Sequence, residues 1–367
     1  MEPIISDSVR RQTGRRQIYR YIYDSPQPMT AMEIAEGLSF APVDVADSLA
    51  GLAADGMVVQ DDTGAYVLEP RGRVAAGLCM LDDRAQLVAI DMRGTELGSR
   101  ELPVPFSHTP AYYEMIAQCL EEFLDDCGLD RDRLLGLGIA MPAIMDQTEG
   151  KLVISPTLEL QDVLLEEIYC HFSRYPVFIE NTPNASGYAE RWANGVQTNA
   201  VYLSLDRGVG GAILLGNEHY MGDHGRGGEF GHMRLVPNGR PCLCGRKGCV
   251  EAYCSTSRLS DDLGLTLEEF FDRLYGGDEQ AAAVWKEYQG HLVDALVSLR
   301  TCFDCDIILG GALSPYLEEL LPELRWEVGE KTLFSGEDFF LYLDHFGSRS
   351  ACTGTALRFI DDFLLTY

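Results

Sequence analysis

An α/β fold of two helix-covered lobes, preceded by a small winged helix-turn-helix unit, is predicted by three observations. Strands and helices alternate along most of the chain, residues 1–70 differ in texture from the rest, and 367 residues exceed what one hydrophobic core keeps absorbing.

From the N-terminus, Ile18, Tyr21 and Ile22 recur at helical spacing, and after Pro28 the residues Met32, Ile34, Ala35 and Leu38 mark a second, short helix. Ser39 and Phe40 make a turn, Pro42 suits a first helical position, and Val45, Leu49 and Leu52 carry an apolar stripe to Gly56. Met57 to Gln60 and Ala65 to Leu68, separated by Asp61-Asp62-Thr63-Gly64, read as two strands and a turn, the wing. A small helical adaptor would show the same pattern. From residue 71, strands over Ala75–Leu81 and Gln86–Asp91 precede a turn at Met92-Arg93-Gly94 and a helix over Tyr112–Leu124 whose core face is Ile116, Leu120 and Phe123. Further strands are expected at Leu135–Met141, Val177–Ile179, Ala200–Leu205, Ile213–Leu215 and Ile307–Leu309. Helices are expected from Ala185 to Trp192 and along Val284, Tyr288, Leu292, Ala295 and Leu299. The division is 1–70 for the winged unit, 71–182 for a first lobe to which a C-terminal helix over 352–367 returns, and 183–351 for a second lobe.

No apolar run approaches the roughly 18 residues needed to span a bilayer, and MEPIISDSVRRQTGRR lacks a signal-peptide core, so a soluble, cytoplasmic protein without membrane association is expected. Four of the 11 cysteines fall between Cys242 and Cys254, which suits metal ligation better than disulfides. A net charge of −28 repels phosphate backbones at long range, so nucleic acid would have to be met by a local basic patch.

The most specific stretch is Gly228-Glu229-Phe230-Gly231-His232-Met233 followed by Cys242-Leu243-Cys244-Gly245-Arg246-Lys247-Gly248-Cys249-Val250-Glu251. One imidazole and three thiols, at His232, Cys242, Cys244 and Cys249, supply the ligands of a closed, structural zinc site, and the glycines let the backbone fold tightly enough for the sulfurs to converge. Cys254 is expected in the core.

This segment resembles the signature of the ROK family, which groups bacterial sugar kinases with sugar-responsive repressors. Glu180-Asn181-Thr182-Pro183-Asn184-Ala185 resembles the family's Glu-Asn-Asp-Ala-Asn-Ala cleft segment. Leu203 to Gly211 resembles its glycine-rich phosphate turn, and Ile308-Leu309-Gly310-Gly311-Ala312-Leu313-Ser314 its nucleotide-side turn. The resemblance runs over about residues 71–360 and implies an actin-like, ribonuclease-H-like pair of lobes; it favours a winged helix-turn-helix at the N-terminus, which family repressors carry and family kinases do not.

It also implies that kinase chemistry is absent. Phosphoryl transfer needs a base and donors that hold the nucleotide phosphates. The base position of the family holds Thr182, the first phosphate turn reads Cys79-Met80-Leu81-Asp82-Asp83, and Asp206-Arg207 replaces a Gly-Thr pair. No catalytic residue is assigned, and Gly210, Gly211, Gly310 and Gly311 are read as turns required by the fold. By resemblance, Asn181, Glu229, His232 and Glu251 match sugar contacts, although Glu229 and Glu251 would serve equally as supports of the metal; Thr157 stands where the family often has asparagine. For DNA, a basic arm of Arg10, Arg11, Arg15, Arg16 and Arg20, with Ser39, Asp44 and Ser48 around the recognition helix, supplies the candidates. That helix has no basic residue, and residues 1–74 hold seven arginines, no lysine and eleven acids.

The expected function is a sugar-responsive transcriptional regulator that binds operator DNA as a homodimer or tetramer and takes a sugar or sugar phosphate between the lobes. The alternatives are an ATP-dependent sugar kinase and a sugar sensor acting through protein partners.

Overall fold

The computed structural model describes residues 7–193, 199–216, 218–332 and 340–367, with side chains from residue 13 onward. The N-terminal unit is α1 (Asp7–Asp24), α2 (Ala31–Leu38), α3 (Pro42–Ala54), β1 (Val58–Gln60) and β2 (Tyr66–Leu68). Thr30 and Glu33 form a reciprocal capping box that starts α2, and Ser39 ends it in the left-handed region with φ 56°. Pro42 occupies the first turn of α3, whose Val45, Leu49 and Leu52 are buried. The strands pair antiparallel, Val58 opposite Leu68, and the Asp61 carboxylate accepts the Thr63 and Ala65 amides to close the wing turn. Met32 departs from the expected core stripe, being 58% exposed: the buried side of α2 runs through Ala31, Ile34, Ala35 and Leu38, at helical spacing that leaves Met32 outside.

A first five-stranded sheet follows, built from β3 (Val74–Met80), β4 (Ala85–Asp91), β5 (Glu96–Leu102), β6 (Leu134–Met141) and β10 (Val177–Asn181) in the order β10-β6-β3-β4-β5. Between these elements come α4 (Pro110–Asp126), a small sheet of β7 (Ile144–Asp146), β8 (Lys151–Ser155) and β9 (Leu160–Leu164), and α5 (Glu166–Tyr169). Strand β3 is buried along its whole length because both faces are covered: Val74, Ala76, Leu78 and Met80 join the core with α4, while Ala75 and Cys79 face the opposite core.

After α6 (Thr182–Ala193), a second five-stranded sheet has the order β13-β12-β11-β14-β15, made from β11 (Ala200–Leu205), β12 (Val209–Leu215), β13 (Glu218–His219), β14 (Asp306–Gly310) and β15 (Leu341–Leu343). It is covered by α7 (Glu251–Cys254), α8 (Leu267–Tyr275), α9 (Glu279–Phe303) and α10 (Leu321–Lys331). The helix expected over 352–367 is α11 (Ser350–Thr366); it lies against β3, β4, β6 and α6. Its approach is backbone to backbone: a Cβ on Gly77 would strike the Cys352 carbonyl, one on Gly138 the Thr355 backbone, and one on Gly354 the Ala185 carbonyl.

The end of α11 also floors the winged unit. Tyr19 packs edge-on against Phe363 and Tyr367 with ring centroids 6.2 and 5.5 Å apart, and the Tyr23 hydroxyl donates to the Met92 carbonyl at 3.0 Å. One buried cluster therefore spans α1, α3, β3, β4, α6 and α11. Among the described residues no helix is long and apolar enough to cross a membrane.

Candidate functional site

The candidate metal loop grows out of β12. Gly231 lies so close to β12 that a Cβ would strike the Val209 carbonyl, which seats the Phe230–His232 turn on that strand. The following chain doubles back, with Pro241 bridging Lys247, the Cys242 amide donating to the Arg246 carbonyl at 2.8 Å, and Gly245 and Gly248 at φ 81° and 80°. These turns bring His232, Cys242, Cys244 and Cys249 together, their ligand atoms all within 4.8 Å of one another. Cys244 and Cys249 Sγ are 3.7 Å apart, and Cys242 Sγ is 3.8 Å from His232 Nδ1. A tetrahedral ion with metal–sulfur bonds of about 2.3 Å requires sulfurs about 3.8 Å apart, so the set fits one metal ion. Burial raises the Cys242 and Cys249 thiols, whereas Arg246 and the neighbouring sulfurs, acting against burial, lower Cys244; a metal ion here would take all three as thiolates. Cys254 is fully buried in the core, as expected.

The sugar-contact candidates divide into two places. Asn181 ends β10 and lines a cavity of about 330 Å³, together with Met145 to Glu149, Glu180, Asn184, Met221 and Asp223 to Gly225. Glu229, His232 and Glu251 lie instead at the metal loop. The Glu251 carboxylate is already committed: Oε2 accepts the Val209 amide at 3.1 Å and Oε1 the Cys242 thiol at 3.3 Å. Glu229 is half-buried, burial raises its carboxyl against the pull of His232, and among the described residues no hydrogen bond holds it. Gly208 lies between the Glu251 carboxylate and the Thr157 hydroxyl, so the β8–β9 connection and the metal loop meet there. Thr182 begins α6 with its hydroxyl buried and unpartnered.

Sequence reasoning missed what Asp206 and Arg207 do. The Asp206 carboxylate is buried between the two glycine turns, accepting the Ser204 hydroxyl at 2.6 Å and the Ala312 amide at 2.7 Å, and burial raises its pKa against those bonds. Arg207 reaches from the second sheet to Asp82 in the β3–β4 turn at 2.7 Å and to Asp261 at 3.1 Å. Gly210 and Gly211, expected in a turn, lie inside β12: Leu205 pairs with Val209, so the turn is only Asp206-Arg207-Gly208. They are small because Pro183 and Phe230 press on them. Gly311, at φ 86°, does sit in a turn, against Asp206.

The basic arm is not an arm: Arg10, Arg11, Arg15, Arg16 and Arg20 all lie within α1. The side chains of Arg10 and Arg11 are outside the described residues. Arg15 bonds the Gly51 carbonyl and the Asp55 carboxylate of α3, and Arg20 pairs with Asp24 at 3.0 Å. Arg16 is half-buried, Ser39 and Asp44 are exposed, and Ser48 is half-buried.

Over 307 residues the chain is 24% identical to the xylose repressor of Bacillus subtilis (strain 168), covering 81% of this chain and 80% of that one. It is 28% identical over 240 residues to the xylose repressor of Bacillus spizizenii, covering 63% of this chain. The matched stretches span 56%, 80% and 62% of three such relatives' own lengths. A solved ROK family transcriptional regulator, a homolog of the E. coli MLC protein, superposes with a TM-score of 0.76 at 21% identity over 97% of this chain and 98% of its own. The ROK hexokinase from Thermus thermophilus superposes at 0.62 with 26% identity over 77% of this chain and 97% of its own. The family model for ROK matches residues 79–359, and with the metal loop, the cleft segment and both lobes in place over that stretch, the chain belongs to the ROK family.

Proposed function

We propose that this protein is a sugar-responsive transcriptional repressor of carbohydrate metabolism, with a structural zinc ion at His232, Cys242, Cys244 and Cys249. The observation that carries the reading is the winged helix-turn-helix unit packed through one core onto a two-lobed ROK module, together with relatives that are named xylose repressors. A sugar held from one side by Asn181 and from the other by Glu229 and His232 would bias the angle between lobes, and so the spacing of paired winged units on an operator. His232, with Nδ1 turned to the sulfurs, has its second ring nitrogen free to meet a hydroxyl. Glu251 Oε2 is held by the Val209 amide, while Cys242, a thiolate when it binds the metal, has no proton to give Oε1, which is then open to a sugar hydroxyl.

The chain is not a kinase on this reading. Thr182 cannot act as a general base, and Asp206, Arg207 and Asp82 fill the region between the glycine turns with the protein's own charges, where nucleotide phosphates would meet two carboxylates. Zinc analysis and thermal shift against a sugar library, followed by gel shift on the chain's own promoter, test the proposal. About one zinc per chain, a selective shift and sugar-sensitive DNA binding are expected, with a homodimer or tetramer in solution. ATP-dependent phosphorylation of any sugar would overturn it. The exposed, acidic helix α3 supports a second reading, a sensor acting through a protein partner; failure to bind DNA with sugar binding intact would select it.

A further inference from the structure

The three-residue turn Asp206-Arg207-Gly208 between β11 and β12 is held at several points. The Asp206 amide donates to the Gly208 carbonyl at 3.1 Å, and the Asp206 carbonyl accepts the Thr256 amide at 2.8 Å. The next amide along, that of Val209, donates to Glu251 Oε2 at 3.1 Å, and a Cβ on Gly208 would lie against both the Glu251 carboxylate and the Thr157 hydroxyl. Mounted in this way, the turn sends Arg207 from the second sheet to Asp82 in the β3–β4 turn of the first, at 2.7 Å. The other guanidinium nitrogen donates at 3.1 Å to Asp261, which lies between Leu259 and Leu263 of the core under the second sheet. Asp82 is fixed too: the Leu81 amide donates to the Arg84 carbonyl at 2.9 Å, and the Asp82 carbonyl accepts the Phe106 amide at 3.0 Å. The neighbouring cations are committed elsewhere, Arg84 to Asp83 at 3.0 Å and Arg258 to Asp262 at 2.6 Å. One guanidinium therefore stands between two carboxylates on opposite lobes, which would repel each other without it.

We propose that Arg207 is an interlobe latch coupled to the effector: its pairing with Asp82 holds the lobes closed, and a sugar that engages Glu251 strengthens that pairing through the Asp206-Arg207-Gly208 turn. The inference rests on the sugar-sensor reading and assigns the residues that carry its signal between lobes. A hydroxyl on Glu251 Oε1 loads the same carboxylate whose Oε2 fixes the Val209 amide, two residues from Arg207. An exposed ion pair adds little to overall stability, but loss of this one turns attraction between the lobes into repulsion, so it acts on their angle. Sugar and latch favour the same closed arrangement, and each must therefore strengthen the other.

The test is amide hydrogen exchange, read by mass spectrometry, on the full-length, zinc-replete chain, alongside isothermal titration with D-xylose, D-glucose and N-acetyl-D-glucosamine. Asp82→Ala should speed exchange about threefold across the lobes, at residues 206–209, and Arg207→Ala should do the same at residues 81–85. The Asp82→Arg/Arg207→Asp swap, which restores the pair in reverse, should bring both segments back towards the natural rate, with zinc content unchanged throughout. Affinity for the sugar that binds the natural chain should fall about threefold in each single variant and recover in the swap, as the reciprocity of coupling requires. Exchange that changes only in the mutated turn, a swap that restores nothing, or a sugar affinity indifferent to both single variants overturns the inference and leaves the sensor reading standing. Absence of binding by every sugar brings down the sensor reading and the effector coupling with it, whatever the exchange shows.

Discussion

Asp206 joins both glycine turns through one carboxylate, which makes its two simplest replacements informative. Asp206→Ala leaves the Ala312 amide and the Ser204 hydroxyl without their acceptor, a loss of about 1–3 kcal/mol by urea denaturation, whereas Asp206→Asn keeps an acceptor and should lose less. At the metal loop, Cys249→Ser should reduce bound zinc well below one per chain and lower the melting temperature, read by elemental analysis and calorimetry on the same sample. A third residue sets a pH dependence. Burial, aided by Arg358 and Arg191, brings His219 from an ordinary 6.5 down to about 3. Between these values the unfolded chain binds a proton that the folded chain refuses, so this contribution to stability is complete above pH 6.5 and is lost as the pH falls towards 3. At the limit this amounts to about 1.4 kcal/mol for each pH unit. His219→Gln, which cannot titrate, should flatten that part of the melting-temperature profile relative to the natural chain; an unchanged profile would contradict the assignment. The cluster of His232, Cys242, Cys244 and Cys249 was legible because its members lie close together in one stretch of sequence. Asp206 and Arg207 were not, because their partners Ala312 and Asp82 are distant in sequence.

Helix α11 shows how glycine placement decides an element's packing. Gly354→Ala would push a methyl group into the Ala185 carbonyl of α6, where neither backbone can retreat, and should cost about 3 kcal/mol or more, seen as a lower urea midpoint or loss of soluble protein. Gly290, on α9 with open space around it, is the control: Gly290→Ala should be neutral or slightly stabilising. Buried strands such as β3, β6 and β11 announced themselves as apolar runs. By contrast β5 and β7 to β9 gave little signal, since β5 has no fully buried residue and β9 buries only Leu160 and Val163. Their strand character comes from the neighbours they pair with rather than from their own pattern.

At the scale of the molecule, the winged unit and α11 behave as one body. Deleting Phe363–Tyr367 strips the aromatic floor from Tyr19 and the cation–π partner from Arg15, and should lower the melting temperature by several degrees and weaken operator binding while leaving zinc content unchanged. Calorimetry and gel shift on the same variant would show whether both effects appear together. The two-lobed architecture was readable from alternation and motif order, but this junction was not, because it joins residues near opposite ends of the chain.

That junction bears on how regulators of this architecture can be rebuilt. A chimera that takes its DNA-reading head from one relative and its sensor from another, cut near residue 70, would inherit a head whose tyrosines expect a matching aromatic tail. Successful grafts should therefore carry the last five residues of the head's own parent, so that the true unit of exchange is discontinuous in sequence.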